Sequence, residues 1–182
     1  KAIIPHYSQL VEMAAGHGLL GLFALLLHPG LKRVEHVDLA QPLSYGRILE
    51  QLAPFYPFLK CRSHYLNQPI ETLKPLRPGA LVMGVHCCGG LTDRVVELAR
   101  ASQCDFLVVP CCESHLQLPG PMRRKLGGRT VATVLNEMRR DRWTVWGYDI
   151  EERALPSAVT EKRRVFVGRW IGVARTSQPR PE

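Results

Sequence analysis

The chain has no long hydrophobic run. Its longest, Leu19 to Leu27, falls short of the roughly 20 apolar residues that span a bilayer as a helix. It predicts a buried helix and no membrane contact. No Cys-x-x-Cys spacing occurs among the six cysteines, and four of them form two adjacent pairs, Cys87-Cys88 and Cys111-Cys112. That usage argues against a secreted disulfide framework and for reduced thiols in a cytoplasm. No hydrophobic segment ahead of a small-residue cleavage site marks a signal peptide. Lys1, in place of an initiator Met, suggests a processed start or a domain cut from a longer chain. Internal repeats and low-complexity tracts are absent. Acid is scarce: 24 Lys and Arg face 16 Asp and Glu, a formal net charge of +8.

With 182 residues, 46% hydrophobic and 22% charged, the composition is that of an ordinary globular chain with a full core. One domain over residues 1–176 is expected, with 177–182 a frayed tail. Short apolar strands alternate with helical stretches, the pattern of a parallel sheet covered on both faces. Strands are expected at Gln9 to Ala14, Arg33 to Asp38, Cys61 to Tyr65, Ala80 to His86 and Asp105 to Val109. Helices are expected at Leu19 to Leu27, Leu43 to Ala53, Thr92 to Ser102 with Thr92 as N-cap, and Val131 to Arg140. With Trp143, Trp146 and Tyr148 as core and hairpin face, Thr144 to Ile150 and Arg164 to Val173 read as two late strands. The polar loop between them points to an antiparallel hairpin.

The first strand runs into Gly16-His17-Gly18, then an apolar helix. Strand, glycine turn and helix in that order aim backbone N–H groups and the positive helix end at a nucleotide-like ligand. Gly16-x-Gly18-x-x-Gly21 also fits the dinucleotide fingerprint, so both S-adenosylmethionine (SAM) and NAD are open on spacing alone. Asp38, at the end of the second strand, can accept ribose hydroxyls in either case. Leu39 follows it, and Asn67 and Gln68 could meet an adenine edge. Glu12, an acid inside the strand end, favours SAM. Glu12-x-Ala14-x-Gly16-His17-Gly18 resembles motif I of class I SAM methyltransferases, with Ala14 where the family has its first glycine. The resemblance places Glu12 near the cofactor's methionine end.

A second constellation lies further on: His86-Cys87-Cys88-Gly89-Gly90-Leu91-Thr92-Asp93, and Pro110-Cys111-Cys112-Glu113. Both segments stand at the ends of strands that neighbour each other in a doubly wound sheet. Together they resemble a methyltransferase group that includes acceptor-stem tRNA 2′-O-methyltransferases and glutathione-S-transferase C-terminal-domain-containing proteins. Members carry His-x-Cys-Gly-x-x-(Ser/Thr)-Asp and a later Cys-Cys. The resemblance implies a Rossmann-like α/β fold: a mostly parallel seven-stranded sheet, a C-terminal antiparallel hairpin and helices on both faces. It implies a SAM-dependent methyltransferase acting on RNA, tRNA or rRNA. Of the family's basic stretch ahead of motif I at most Lys1 survives, and the sequence carries no zinc-finger segment of the tRNA enzymes.

Several roles stay open for these residues. His86 and Asp93 are candidates to take a proton from an acceptor hydroxyl, and His86 also borders the cofactor. Cys88, Cys111 and Cys112 could be nucleophiles, Pro110-Cys111 loosely resembling the cysteines of RNA 5-methylcytosine enzymes. They could equally be packing. His86, Cys88, Cys112 and His115 number enough for a metal, but alternation along a strand lets each pair offer one ligand easily, so none is expected. Between Ser114 and Arg142, seven basic side chains face two acidic ones. Arg123, Arg124, Lys125, Arg129, Arg139 and Arg140 are therefore the expected RNA contacts. The alternative is a methyltransferase-like module that binds RNA or protein without turnover.

Overall fold

In a computed structural model, residues 3–123, 126–161 and 163–172 are described, the side chain of His115 apart. Seven strands form one sheet: β1 (Gln9–Met13), β2 (Arg33–Asp38), β3 (Ser63–Asn67), β4 (Leu81–Val85), β5 (Asp105–Val109), β6 (Tyr148–Ala154) and β7 (Arg164–Trp170). Their order is β3-β2-β1-β4-β5-β7-β6. All neighbours are parallel except β7, which runs antiparallel to both β5 and β6. The chain therefore reverses direction across the sheet between β1 and β4, the point at which open α/β sheets bind ligands beyond their carboxyl ends.

Among the described residues six α-helices connect the strands: α1 (Leu19–Leu27), α2 (Leu43–Leu52), α3 (Leu59–Arg62), α4 (Leu91–Ala101), α5 (Gly120–Arg123) and α6 (Val131–Val145). Alternation along β1 separates the two faces. Leu10 packs with Leu22 and Leu25 of α1, Val34, Leu59 and Leu81. Val11 and Met13 face the other way, onto Val95, Val96, Ala99, Phe106 and Trp143. Helix α1 sits tightly on the sheet at Gly21, where a Cβ would lie 2.5 Å from His36 and 2.6 Å from Val34.

Four local expectations need correction. Strand β3 starts at Ser63, not Cys61, because its ladder runs from Val34↔Ser63 to Asp38↔Asn67 and the residues before it close the helical turn α3. Helix α4 has Gly90 as N-cap, and the Thr92 hydroxyl instead donates to Cys87 O at 2.6 Å. Helix α6, capped by Thr130, continues to Val145, so Trp143 is a helical residue packed edge-on against Phe106 and Phe166. Gly147, with φ 96°, then turns the chain into β6. Helix α1 is buried on one side only: Phe23 is 54% and Leu27 71% exposed. Val173 and the expected tail 177–182 lie outside the described residues. Among the described residues no helix is long and apolar enough to cross a membrane.

Candidate active site

The turn after β1 is built from three left-handed residues, Ala14 (φ 51°), Gly16 (φ 52°) and Gly18 (φ 69°). A glycine is required at Gly18, because a Cβ there would lie 2.8 Å from the Tyr45 ring. At Gly16 a Cβ would meet no protein atom, so that residue faces open space. Ala14 holds the same left-handed conformation with a side chain, at a cost of about 1–2 kcal/mol. Asp38 locks the turn: Gly16 N donates to Oδ2 at 2.8 Å and Leu39 N to Oδ1 at 2.7 Å. From the other side the Tyr65 hydroxyl donates to Gly16 O at 2.7 Å, and His17 Nδ1 lies 2.5 Å from Ser44 Oγ.

Glu12 lies beneath this turn and is only 3% exposed. Its Oε2 accepts from Gly21 N (3.1 Å) and from His36 Nδ1 (2.7 Å). His36 Nε2 is 2.8 Å from Ser63 Oγ, itself 2.7 Å from the Tyr45 hydroxyl. With the hydrogen on Nδ1 every group is satisfied: Tyr45 donates to Ser63, Ser63 to His36, and His36 to Glu12. Burial foremost, with the nearby Glu12 charge, raises the Tyr45 hydroxyl pKa and keeps it a donor, although the Ser63 bond opposes this. The bonds of Glu12 therefore hold α1 and the turn from below, not from within the cleft. Sequence reasoning misses His36, Ser63, Tyr45 and Tyr65. The available signal is the polar His36 in a doubly covered strand, paired in register with Glu12.

Beside the turn lies a cleft of about 190 Å³, lined by Ala14, Asp38, Leu39, Gln68, Ile70, Glu71 and Leu91. Gln68 N donates to Asp38 O at 2.9 Å, which places Gln68 in the wall. Asn67 ends β3 opposite Asp38 and is exposed. A carboxylate next to an apolar slot of Leu39, Ile70 and Leu91 suits a ribose followed by a flat base, and the open space at Gly16 suits an approaching ligand. These residues fit an adenosyl cofactor.

The loops after β4 and β5 form the adjoining wall. His86 is exposed in the left-handed conformation (φ 58°), with its N–H donating to Val109 O at 3.1 Å. This reversal turns Cys87 inward, Sγ 3.6 Å from Met13 O, and Cys88 outward. Burial first, then surrounding negative charge, pushes the Cys87 thiol up to about 12. Cys88 Sγ lies 3.2 Å from Cys111 Sγ and 3.0 Å from Cys112 Sγ, and the last two are 3.6 Å apart. Hydrogen bonds from Cys112 and Cys111 lower the pKa of Cys88, whereas burial and its two sulfur neighbours push Cys111 up to about 12. Of these thiols Cys88 is therefore more readily ionised than Cys111. All three follow the last residues of their strands, so alternation along a strand does not separate their side chains.

Two sets of expected site residues are engaged within the fold. Asp93 receives Arg139 Nη2 at 2.9 Å and also Arg142, so both of its oxygens are bonded to α6. The expected RNA-binding arginines are dispersed. Arg139 is 2% exposed and also donates to Gly89 O. Arg123 folds back onto the carbonyls of Leu118 and Leu116, and Arg129 pairs with Glu137. Arg140 keeps an exposed guanidinium 3.5 Å from Asp141. Arg124 and Lys125 lie outside the described residues. An open hollow of about 310 Å³ beside the β5 end, walled by Pro110, Glu113, Asn136 and Arg163, offers a mixed polar surface instead.

The sheet order with an antiparallel β7, and a carboxylate at the end of β2 beside a glycine turn, define a class I SAM methyltransferase fold. The all-parallel order of a dinucleotide-binding sheet is absent, which sets the NAD reading aside. Residues 5–119 match the family model described as a methyltransferase domain, and the chain belongs to that family. Its cofactor is SAM. No curated protein matches the sequence significantly. Among solved structures, the fibrillarin pre-rRNA processing protein of Methanococcus jannaschii is similar with a TM-score of 0.65 at 11% identity, over 94% of this chain and 70% of that one. A 16S rRNA (adenine(1408)-N(1))-methyltransferase variant with SAM, from Catenulisporales acidiphilia, has a TM-score of 0.57 at 20% identity, over 98% and 89%. The antibiotic-resistance methyltransferase Kmr has a TM-score of 0.59 at 15% identity, over 92% and 89%. These likenesses are in fold.

Proposed function

We propose that this domain transfers a methyl group from SAM to RNA. The observation that carries the reading is the cleft at the carboxyl ends of β1 and β2, with Asp38 in its wall beside the left-handed turn 14–18. Asp38 accepts the ribose hydroxyls, Gln68 and Leu39 border the base, and Ala14, Gly16, His17 and Gly18 bring backbone to the methionine half. Bound SAM supplies an electrophilic methyl on a sulfonium, so the protein has chiefly to hold the acceptor in line with it. His86, exposed at the neighbouring strand end, takes the acceptor proton. Cys88 is the alternative reactive group if the acceptor is a base carbon. An RNA acceptor is supported by the +8 charge and by two similar folds whose names refer to rRNA. The acceptor-stem tRNA group is the narrower form of the same proposal, resting on the His86-to-Asp93 and Cys111-Cys112 segments, and the cytoplasm is its proposed compartment.

Calorimetry with SAM and S-adenosylhomocysteine tests the cofactor assignment, and no heat at millimolar ligand would sink it. Transfer of labelled methyl onto total RNA, followed by nucleoside identification, tests the acceptor. SAM binding without transfer to RNA would point to the non-catalytic module.

A further inference from the structure

The three sulfurs at the ends of β4 and β5 form a triangle that the methyl-transfer reading leaves unexplained. We propose that Cys88, Cys111 and Cys112 bind a thiophilic divalent cation, zinc in the first instance, through all three thiolates. The ligand atoms already lie within 4.8 Å of one another. A tetrahedral zinc with Zn–S bonds of about 2.3 Å holds its sulfurs about 3.8 Å apart. The triangle of 3.0, 3.2 and 3.6 Å therefore has to open by less than about 1 Å. That movement is available, because Cys88 and Cys112 occupy exposed loop positions past the sheet ladder, while buried Cys111 forms the floor.

The donor set selects the metal. Three sulfurs without a carboxylate suit zinc, cadmium or copper(I) and reject magnesium and calcium. Two exposed sulfurs over a buried one leave the fourth position facing solvent. Three protein ligands and an open position are the pattern of a site that keeps an exchangeable water or substrate atom, not of a closed structural site with four cysteine ligands. Cys87 is excluded by its inward turn toward Met13 O, and Cys104 by its bond to Arg77 O. A bound cation ties the β4 and β5 loops together on the sheet edge that also carries the cofactor turn.

Elemental analysis of protein purified anaerobically with reductant, without chelator or histidine tag, is expected to find one zinc per chain. Cobalt in its place is expected to show thiolate-to-metal charge transfer and the intense visible bands of a tetrahedral ion. Cys88→Ser and Cys112→Ser should each weaken cobalt binding at least tenfold, and Cys61→Ser should not, with circular dichroism reporting that each variant is folded. A weak octahedral cobalt spectrum, equal cobalt binding by the Cys88→Ser variant, or a Cys88–Cys112 disulfide in the anaerobic protein would overturn the proposal. SAM calorimetry on the same samples keeps the two readings apart. Cofactor binding without metal overturns the metal site alone, and metal without cofactor binding supports the site while overturning the proposed function.

Discussion

The turn after β1 and the loop after β4 leave adjacent parallel strands at the same sheet edge, and both do so through left-handed residues. What lies beneath them differs. Under the first is a closed polar chain, Glu12–His36–Ser63–Tyr45, in which each group has a partner. The second is held by Cys87 and Thr92 from below and by Asp93 bonded to α6, with three sulfurs gathered at its outer edge. A satisfied buried network rigidifies a cofactor-binding turn. Two exposed thiols, Cys88 and Cys112, on neighbouring loops leave those loops able to adjust around a ligand. In the proposed function the fixed half holds the cofactor and the adaptable half serves the chemistry.

Substitutions can break or sharpen that contrast. The largest effect is expected from Glu12→Ala, which strands the His36 and Gly21 donors in the core. Urea unfolding should show a loss of about 4 kcal/mol, with SAM binding lost as well. Arg139→Met should cost roughly 3 kcal/mol by unpairing Asp93 from its buried partner. An unchanged stability with weakened RNA binding would restore Arg139 as an RNA contact. Asp38→Ala should lower SAM affinity about 30-fold in calorimetry, the loss of roughly 2 kcal/mol of charged hydrogen bonding. Cys87 tests the floor of the second loop. Between pH 9 and about 12 the native thiol stays protonated while the unfolded one ionises. Stability should therefore fall as pH rises through that window, by about 1 kcal/mol per pH unit. Cys87→Ala should reduce that slope in urea titrations. The smallest effect is expected from Ala14→Gly, a gain of about 0.5 kcal/mol as relief of the left-handed strain outweighs added chain entropy.

The cofactor half was largely legible in the sequence. Strand, glycine turn, helix and an acid at the next strand end are local features, and β2, α1 and β5 have the bounds that their patterns predicted. Thr144 and Val145 show how local pattern fails: they read as the start of a strand, but α6 runs on through both, with Trp143 packed against Phe106 and Phe166. Arg139 shows the same for charge. In the sequence it belongs to a basic cluster, and in the fold it is an interior ion-pair partner. The cysteine triangle was hidden for a similar reason. Alternation governs residues inside a strand, and His86 and Pro110 take the chain out of the ladder just before the thiols.

The sequence by itself determined the fold class, the glycine turn and the acid at the end of β2, because each rests on residues within a few positions of one another. Only the tertiary structure decided which charged and sulfur groups face the site. Asp93 and Arg139 are 46 residues apart, and Cys88 and Cys112 are 24 apart. Such separations are closed by the packing of α6 on the sheet and by the pairing of β4 with β5.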